Sequence, residues 1–237
     1  VLSELAQEAV RTLLPSWCVV CDRELPWRER TASCCAGCWQ TLPRVTGAKC
    51  LSCAMPLAGD SDAIRCIDCQ LDPAKLDFCD AWGRYGGPLE KVLHAFKFER
   101  HDFLDDALAS LLESLLNERG DVAFDAIVPV PMSRTKERRR GYNQAERLAR
   151  ALARRSRIAC ELLLTKRGER ATQSQLPRAD RAMNVRGAFK ASPRADGKAI
   201  LLVDDICTTG ETLRACASEL LSAGAVRIAA VTVAKTV

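Results

Sequence analysis

Histidine is nearly absent from this 237-residue chain: only His94 and His101 occur, and no paired nucleophile and base is visible. The serine–histidine–acid hydrolase arrangement therefore has no support, and neither histidine is assigned a catalytic role. Long apolar runs are missing too. No stretch approaches the roughly 18 residues that span a bilayer, so no membrane insertion is expected. Glu4 and Glu8 stand where a secretion signal would need a basic start and an apolar core, which makes a cytoplasmic location the expectation. The Walker sequence G-x-x-x-x-G-K-[ST] is also absent, and with it the main support for an ATPase. What remains is a soluble globular composition, 48% hydrophobic and 27% charged.

Cysteine is abundant instead. There are thirteen, an odd number, and ten fall before residue 80. Without a secretion signal these thiols should be reduced, so their pairs point to metal or redox chemistry. Four C-x2-C units recur: Cys18/Cys21, Cys35/Cys38, Cys50/Cys53 and Cys66/Cys69. Two thiolates three residues apart on a tight turn grip one zinc, and a second such knuckle completes a four-thiolate shell. Redox use of C-x2-C needs a thioredoxin-like strand–helix setting, which is missing. The expectation is two structural Zn2+ ions, with sequential or interleaved pairing both allowed by the spacing. Cys34, beside Cys35, reads as a bystander or a substitute ligand, and Cys79, Cys160 and Cys216 as small buried hydrophobes.

The chain divides into modules. Residues 1–15 carry an amphipathic docking helix that Pro15 ends. Residues 16–77 are turn-rich and short of periodicity, so they need a staple; zinc supplies about 10–16 kcal/mol of apparent folding energy per structural site. Residues 78–237 alternate strand and helix patterns, the signature of a parallel α/β sheet. Strands are expected at 81–85, 125–130, 199–205 and 226–234, and helices at 88–98, 102–117, 143–155 and 210–223.

One string stands out, Ile200–Thr212 (ILLVDDICTTGET). A buried strand delivers Asp204 and Asp205 toward its carboxyl end, where open α/β sheets bind ligands. These acceptor-only groups suit sugar hydroxyls, directly or through Mg2+. A turn then opens a helix, where the backbone N–H groups of Thr208, Thr209, Gly210, Glu211 and Thr212 favour a phosphate. Both acids are expected to be partly exposed.

This string resembles the phosphoribosyl-pyrophosphate loop of type I phosphoribosyltransferases. Further stretches are similar to the ComF family, which includes GntX-like proteins: Lys97 in HAFKF, IVPVPMSRTKERRRGYNQAERLARALA, and TQSQLPRADRAMNVRGAFK. With the cysteine knuckles in front, the resemblance covers nearly the whole chain. It implies a type I phosphoribosyltransferase-like parallel sheet flanked by helices, preceded by a double zinc ribbon. It further implies that Thr208–Thr212 cradle a 5′-phosphate, that Asp204 and Asp205 hold ribose hydroxyls, and that Mg2+ accompanies phosphoribosyl pyrophosphate (PRPP). The family is associated with competence and the handling of imported DNA.

Charge is concentrated in one place. Residues 134–157 hold ten Arg and Lys against two Glu, while the whole chain is only +5. A local basic patch on a nearly neutral protein suggests a local anionic ligand. Arg138, Arg139, Arg140 and the hinge Gly141 are read as a loop that closes over pyrophosphate or tracks a DNA backbone. Arg147, Arg150, Arg154 and Arg157 fit a solvated helix face, and Lys97 a helix-end cation. The stretch from Thr172 to Phe189 reads as a loop covering the ligand. Two function classes follow: phosphoribosyl transfer, or a zinc-ribbon module that binds single-stranded DNA, with Trp17, Trp27 and Trp39 near the knuckles to stack on bases. Between them lies ligand sensing at the same site without turnover.

Overall fold

The computed structural model describes residues 16–26, 33–57, 64–71, 76–98, 104–120, 123–167 and 187–237. The expected helix before Pro15, Trp27, His101 and most of the Thr172–Phe189 stretch lie outside them.

The cysteine module is built twice from the same parts. In each half a hairpin carries the first C-x2-C. Cys18 N–H donates to Arg23 O at 2.8 Å, and Cys50 N–H to Met55 O at 2.8 Å. Asp22 (φ 57°) and Ala54 (φ 59°), each four residues after the first cysteine, take the left-handed conformation that closes the knuckle. The second C-x2-C of each half opens a short helix, α1 (Ala36–Gln40) or α2 (Ile67–Leu71).

After the module, strand β1 (Cys79–Arg84) leads into α3 (Gly87–Phe98) and α4 (Leu104–Arg119). Then come β2 (Ala126–Pro129), α5 (Arg134–Arg140), α6 (Gln144–Ser156), β3 (Leu164–Lys166) and β4 (Phe189–Ala191). Strand β5 (Ala199–Cys207), α7 (Glu211–Ser222) and β6 (Arg227–Lys235) complete the chain. Four strands form a parallel sheet in the order β1-β6-β5-β2, and β3 and β4 pair antiparallel beside it. Helices cover both faces, so the central strands are apolar almost without interruption. On one face Leu201, Val203, Val231 and Val233 pack with Leu93 of α3, Leu108 and Leu112 of α4, and Leu148 and Leu152 of α6. On the other, Ile200, Leu202, Ile228 and Ala230 meet Leu213, Cys216 and Leu220 of α7.

The two cysteine halves join opposite faces. Cys18, Leu25 and Cys35 belong to the core with α3 and α4, whereas Ala54 belongs to the core with α7. The linker between the halves runs along β1. Val45 N–H donates to Trp82 O at 2.9 Å, and Arg84 N–H to Pro43 O at 2.8 Å. Gly83 is required at that crossing, since a Cβ there would lie 2.9 Å from Pro43 O. The opposite edge, β2, is covered too: Ile127 N–H donates to Ala159 O and Glu161 N–H to Ile127 O, at 2.8 and 2.9 Å.

Two expectations need correction. Residues 134–140 form a helix rather than an open loop. Ser133 Oγ caps its start by accepting from Lys136 N–H at 3.4 Å, and Gly141 (φ 87°) ends it by donating to Glu137 O at 2.6 Å. Gly141 is thus a helix stop, not a hinge. Cys160 is only half-buried, unlike the buried Cys79 and Cys216.

Candidate functional site

The eight knuckle cysteines gather in two groups, Cys18/Cys21/Cys35/Cys38 and Cys50/Cys53/Cys66/Cys69, each with its sulfur atoms within 4.8 Å of one another. The pairing is sequential. Cys34 is buried but stands outside both groups. The donor set fits zinc. Burial opposes a thiolate at Cys18, yet the backbone N–H groups of Cys35, Cys21 and Val20 outweigh it and lower its pKa to about 6. Cys50 falls to about 7 in the same way, through the N–H groups of Cys66, Ser52 and Cys53 against the cost of burial. Burial pushes Cys38 and Cys53 well up instead. Four crowded sulfurs cannot all ionise alone, and a divalent cation in their midst removes that conflict.

Strand β5 carries the acid pair within its length, running two residues past Asp205 to Cys207. Asp205 is buried, with its Oδ2 2.7 Å from Lys97 Nζ at the end of α3. The expectation that both acids are partly exposed therefore holds only for Asp204, which is half-buried. Asp205 N–H donates to Asp204 Oδ1 at 2.9 Å. Burial, and then the neighbouring Asp205 charge, raise the Asp204 pKa well above the carboxylate range. Lys97 is more than a helix-end cation. Its backbone carbonyl accepts from Gln144 Nε2 at 3.4 Å, and Tyr142 Oη bonds the Phe96 carbonyl beside it.

Asp204 and Asp205 open into a cleft of about 160 Å³. The turn after β2 forms another wall, Val130–Ser133, fixed by Val130 N–H on Val203 O at 2.9 Å and by Asn143 Nδ2 on Val130 O at 3.1 Å. Lys97, Lys136, Arg140 and Lys166 bring four cations to it. Among the described residues, Arg140 Nε is a buried donor with no hydrogen-bond partner, and such a group is costly unless a ligand satisfies it. Its guanidinium also lies 4.9 Å over the Phe98 ring. Arg138 and Arg139 do not line the cleft and are exposed. Lys166, Lys136 and Asn143 were not singled out as site residues from sequence, because only folding brings them together. Arg150, Arg154 and Arg157 are exposed, as a solvated face requires, with Arg150 paired to Glu146 at 2.7 Å. Arg147 departs from that expectation: it is largely buried, paired with Asp105 at 3.1 Å and lying over the Phe96 and Tyr142 rings. His94 stacks on Phe98 at 4.7 Å.

The Thr208–Thr212 turn follows the strand but does not line that cleft. Thr208 and Thr209 are exposed, and Gly210 (φ 81°) opens α7. Glu211 N–H donates to Thr209 Oγ1 at 3.4 Å. The buried Lys235 fixes the turn from below, its Nζ bonding the Thr208 carbonyl and, at 2.6 Å, that of Thr236. Of the tryptophans, Trp17 is exposed while Trp39 packs on the core.

Known proteins place this arrangement. Residues 101–236 match the phosphoribosyl transferase domain, and residues 9–70 the double zinc ribbon domain. The chain is 30% identical to the DNA utilization protein YhgH of Salmonella typhimurium, covering 91% of this chain and 95% of that one. It is 28% identical to competence protein ComFC of Bacillus subtilis, covering 87% and 89%. With competence protein F of Haemophilus influenzae the identity is 32%, over 64% and 69%. Among solved structures, the glutamine PRPP amidotransferase of B. subtilis, complexed with ADP and GMP, aligns at 21% identity and a TM-score of 0.38, over 56% of this chain and 26% of that one. Among the described residues no helix is long and apolar enough to cross a membrane. The chain belongs to the ComF family, a phosphoribosyl transferase domain joined to a double zinc ribbon.

Proposed function

We propose that the cleft at the end of β5 binds PRPP, or a related ribose phosphate, together with Mg2+, and that the protein serves the use of imported DNA. The observation that carries the reading is the convergence of Lys97, Lys136, Arg140 and Lys166 with Asp204 and Asp205 on one cleft. In this reading Asp204 and Asp205 accept from the ribose hydroxyls, Thr208–Thr212 receive the 5′-phosphate on backbone N–H groups, and Arg140, Lys136 and Lys166 face the pyrophosphate. Mg2+, when bound, neutralises pyrophosphate charge. Transfer forms a bond from an entering nucleophile to C1′ and breaks the C1′–oxygen bond, whose electron pair leaves with pyrophosphate. The cations stabilise that leaving group, and the acids favour the positive charge that develops on the sugar. The names of the relatives from Salmonella and Bacillus support the link to imported DNA.

Calorimetry tests the site: PRPP should bind more tightly with Mg2+ than without it, and more tightly than ribose 5-phosphate. Equal and negligible heats for all three would overturn it. Turnover with candidate acceptors then separates transferase from sensor.

A second reading, binding of single-stranded DNA, is favoured by the exposed Arg134, Arg138 and Arg139 along α5 beside the cleft. Changing these three to Ala should flatten the salt dependence of DNA affinity by about one unit of slope per lost phosphate contact.

A further inference from the structure

We propose that the second four-cysteine group positions the phosphate turn, and that Arg214 and Cys207 are the residues through which it does so; this rests on the ribose-phosphate reading of Thr208–Thr212. The two features are distant in sequence: the contacts that join them link residues 154 and 145 positions apart. Cys207, immediately before the turn, donates its Sγ–H to Cys53 O at 3.5 Å. Within the turn, Gly210 presents its Cα to Cys53, so that a Cβ there would lie 3.4 Å from Cys53 Cβ and 3.8 Å from Cys53 Cα. One helical turn later, Arg214 extends Nη1 to 3.7 Å from Cys69 Sγ. The turn is thus held before, within and after its span by one knuckle group.

Charge supports the assignment. A zinc ion with four thiolates carries a net charge of −2, and outer hydrogen-bond partners of metal ligands commonly fix ligand orientation. Arg214 is placed to do this for Cys69 while its own helix begins at the turn. The metal then holds the Cys50–Cys69 frame, the frame holds α7 and Gly210, and the backbone N–H groups point in one fixed direction before the anion arrives. Such preorganisation lowers the ordering cost of binding. The first group lies on the opposite face, tied to α3 through Lys91 Nζ on Val20 O at 2.7 Å, and serves as the internal control.

The experiment compares Cys50→Ser with Cys53→Ser against Cys18→Ser with Cys21→Ser, each pair made in the full chain and each expected to retain one zinc. Amide hydrogen exchange over 207–214 should accelerate about tenfold or more in the second-group variant and stay near wild type in the first-group variant. PRPP affinity with Mg2+ should fall in parallel. A folded second-group variant with one zinc and wild-type exchange over 207–214 would overturn the proposal. Arg214→Met covers the case of misfolding. In the zinc-loaded protein it should weaken PRPP several-fold and speed chelator capture of one zinc of the two, with Arg214→Lys restoring both. By reciprocity, PRPP should slow release of that same zinc in wild type and not in Arg214→Met. Wild-type behaviour of Arg214→Met in both measurements sinks the idea. Should wild type fail to bind PRPP, the ribose-phosphate reading falls, while hydrogen exchange still decides the positioning.

Discussion

The two cysteine groups are near copies in the chain and opposites in setting. Each joins a hairpin knuckle closed by a left-handed residue to a knuckle that opens a short helix. Yet the first group merges with the core beneath α3 and α4, while the second stands against Gly210 and Arg214. Identical metal-knuckle chemistry can therefore staple a fold in one place and wall a helix-opening turn in another. What decides is the sheet face on which each copy lands. Spacing alone carries no sign of that difference.

The largest expected effect tests whether the module stands as a unit. Chelation should remove about 10–16 kcal/mol of apparent folding energy per site, unfolding residues 16–77 before the sheet. Circular dichroism and limited proteolysis would follow it, and one shared transition for module and sheet would break the division. Next in size is Asp205→Asn, which acts toward the α3 face. It strands the Lys97 ammonium, whose side chain is 18% exposed at the cleft, so the loss should be about 2–3 kcal/mol, measurable in urea; a loss below 1 kcal/mol would mean that water serves Lys97 well enough. On the second-group side, Gly210→Ala forces a side chain into a left-handed backbone and against Cys53. About 1–2 kcal/mol of stability should go, with faster release of one zinc; unchanged release would separate turn from knuckle.

The smallest effect has the opposite sign. The fold disfavours ionised Asp204, so its stabilising contribution is present below the ordinary carboxylate range and is lost as pH rises through the raised pKa. Asp204→Asn removes that loss. It should raise Tm at neutral pH, by an amount that shrinks as the solution is acidified, while abolishing Mg2+-linked PRPP affinity. A lower Tm at neutral pH would contradict the assigned cost.

Much of this was legible in the sequence, for physical reasons. Buried parallel strands announce themselves as apolar runs, so β5, expected at 199–205, is found at Ala199–Cys207. Matched C-x2-C spacing announced the two groups, though only the structure settles sequential pairing. The helix α5 was obscured by its charge: five of its seven residues are Arg or Lys, and the run reads as an anion-binding loop unless Ser133 and Gly141 are taken as its caps. Lys166 carries no local signal for the site, and Asn143 only that of a helix cap. They join the site by tertiary convergence, as does Cys53 at Gly210.

The linker that pairs with β1 gives the ribbon one more consequence. An open parallel sheet ends in strands with unpaired N–H and C=O groups, ready templates for another chain. Residues 43–45 cover that rim at β1, as 159–161 do at β2. Only one of these covers is anchored at both ends by cysteine knuckles. Zinc starvation would thus bare a single edge, and the outcome in solution would be self-association through β1, with aggregation setting in before the sheet itself has melted.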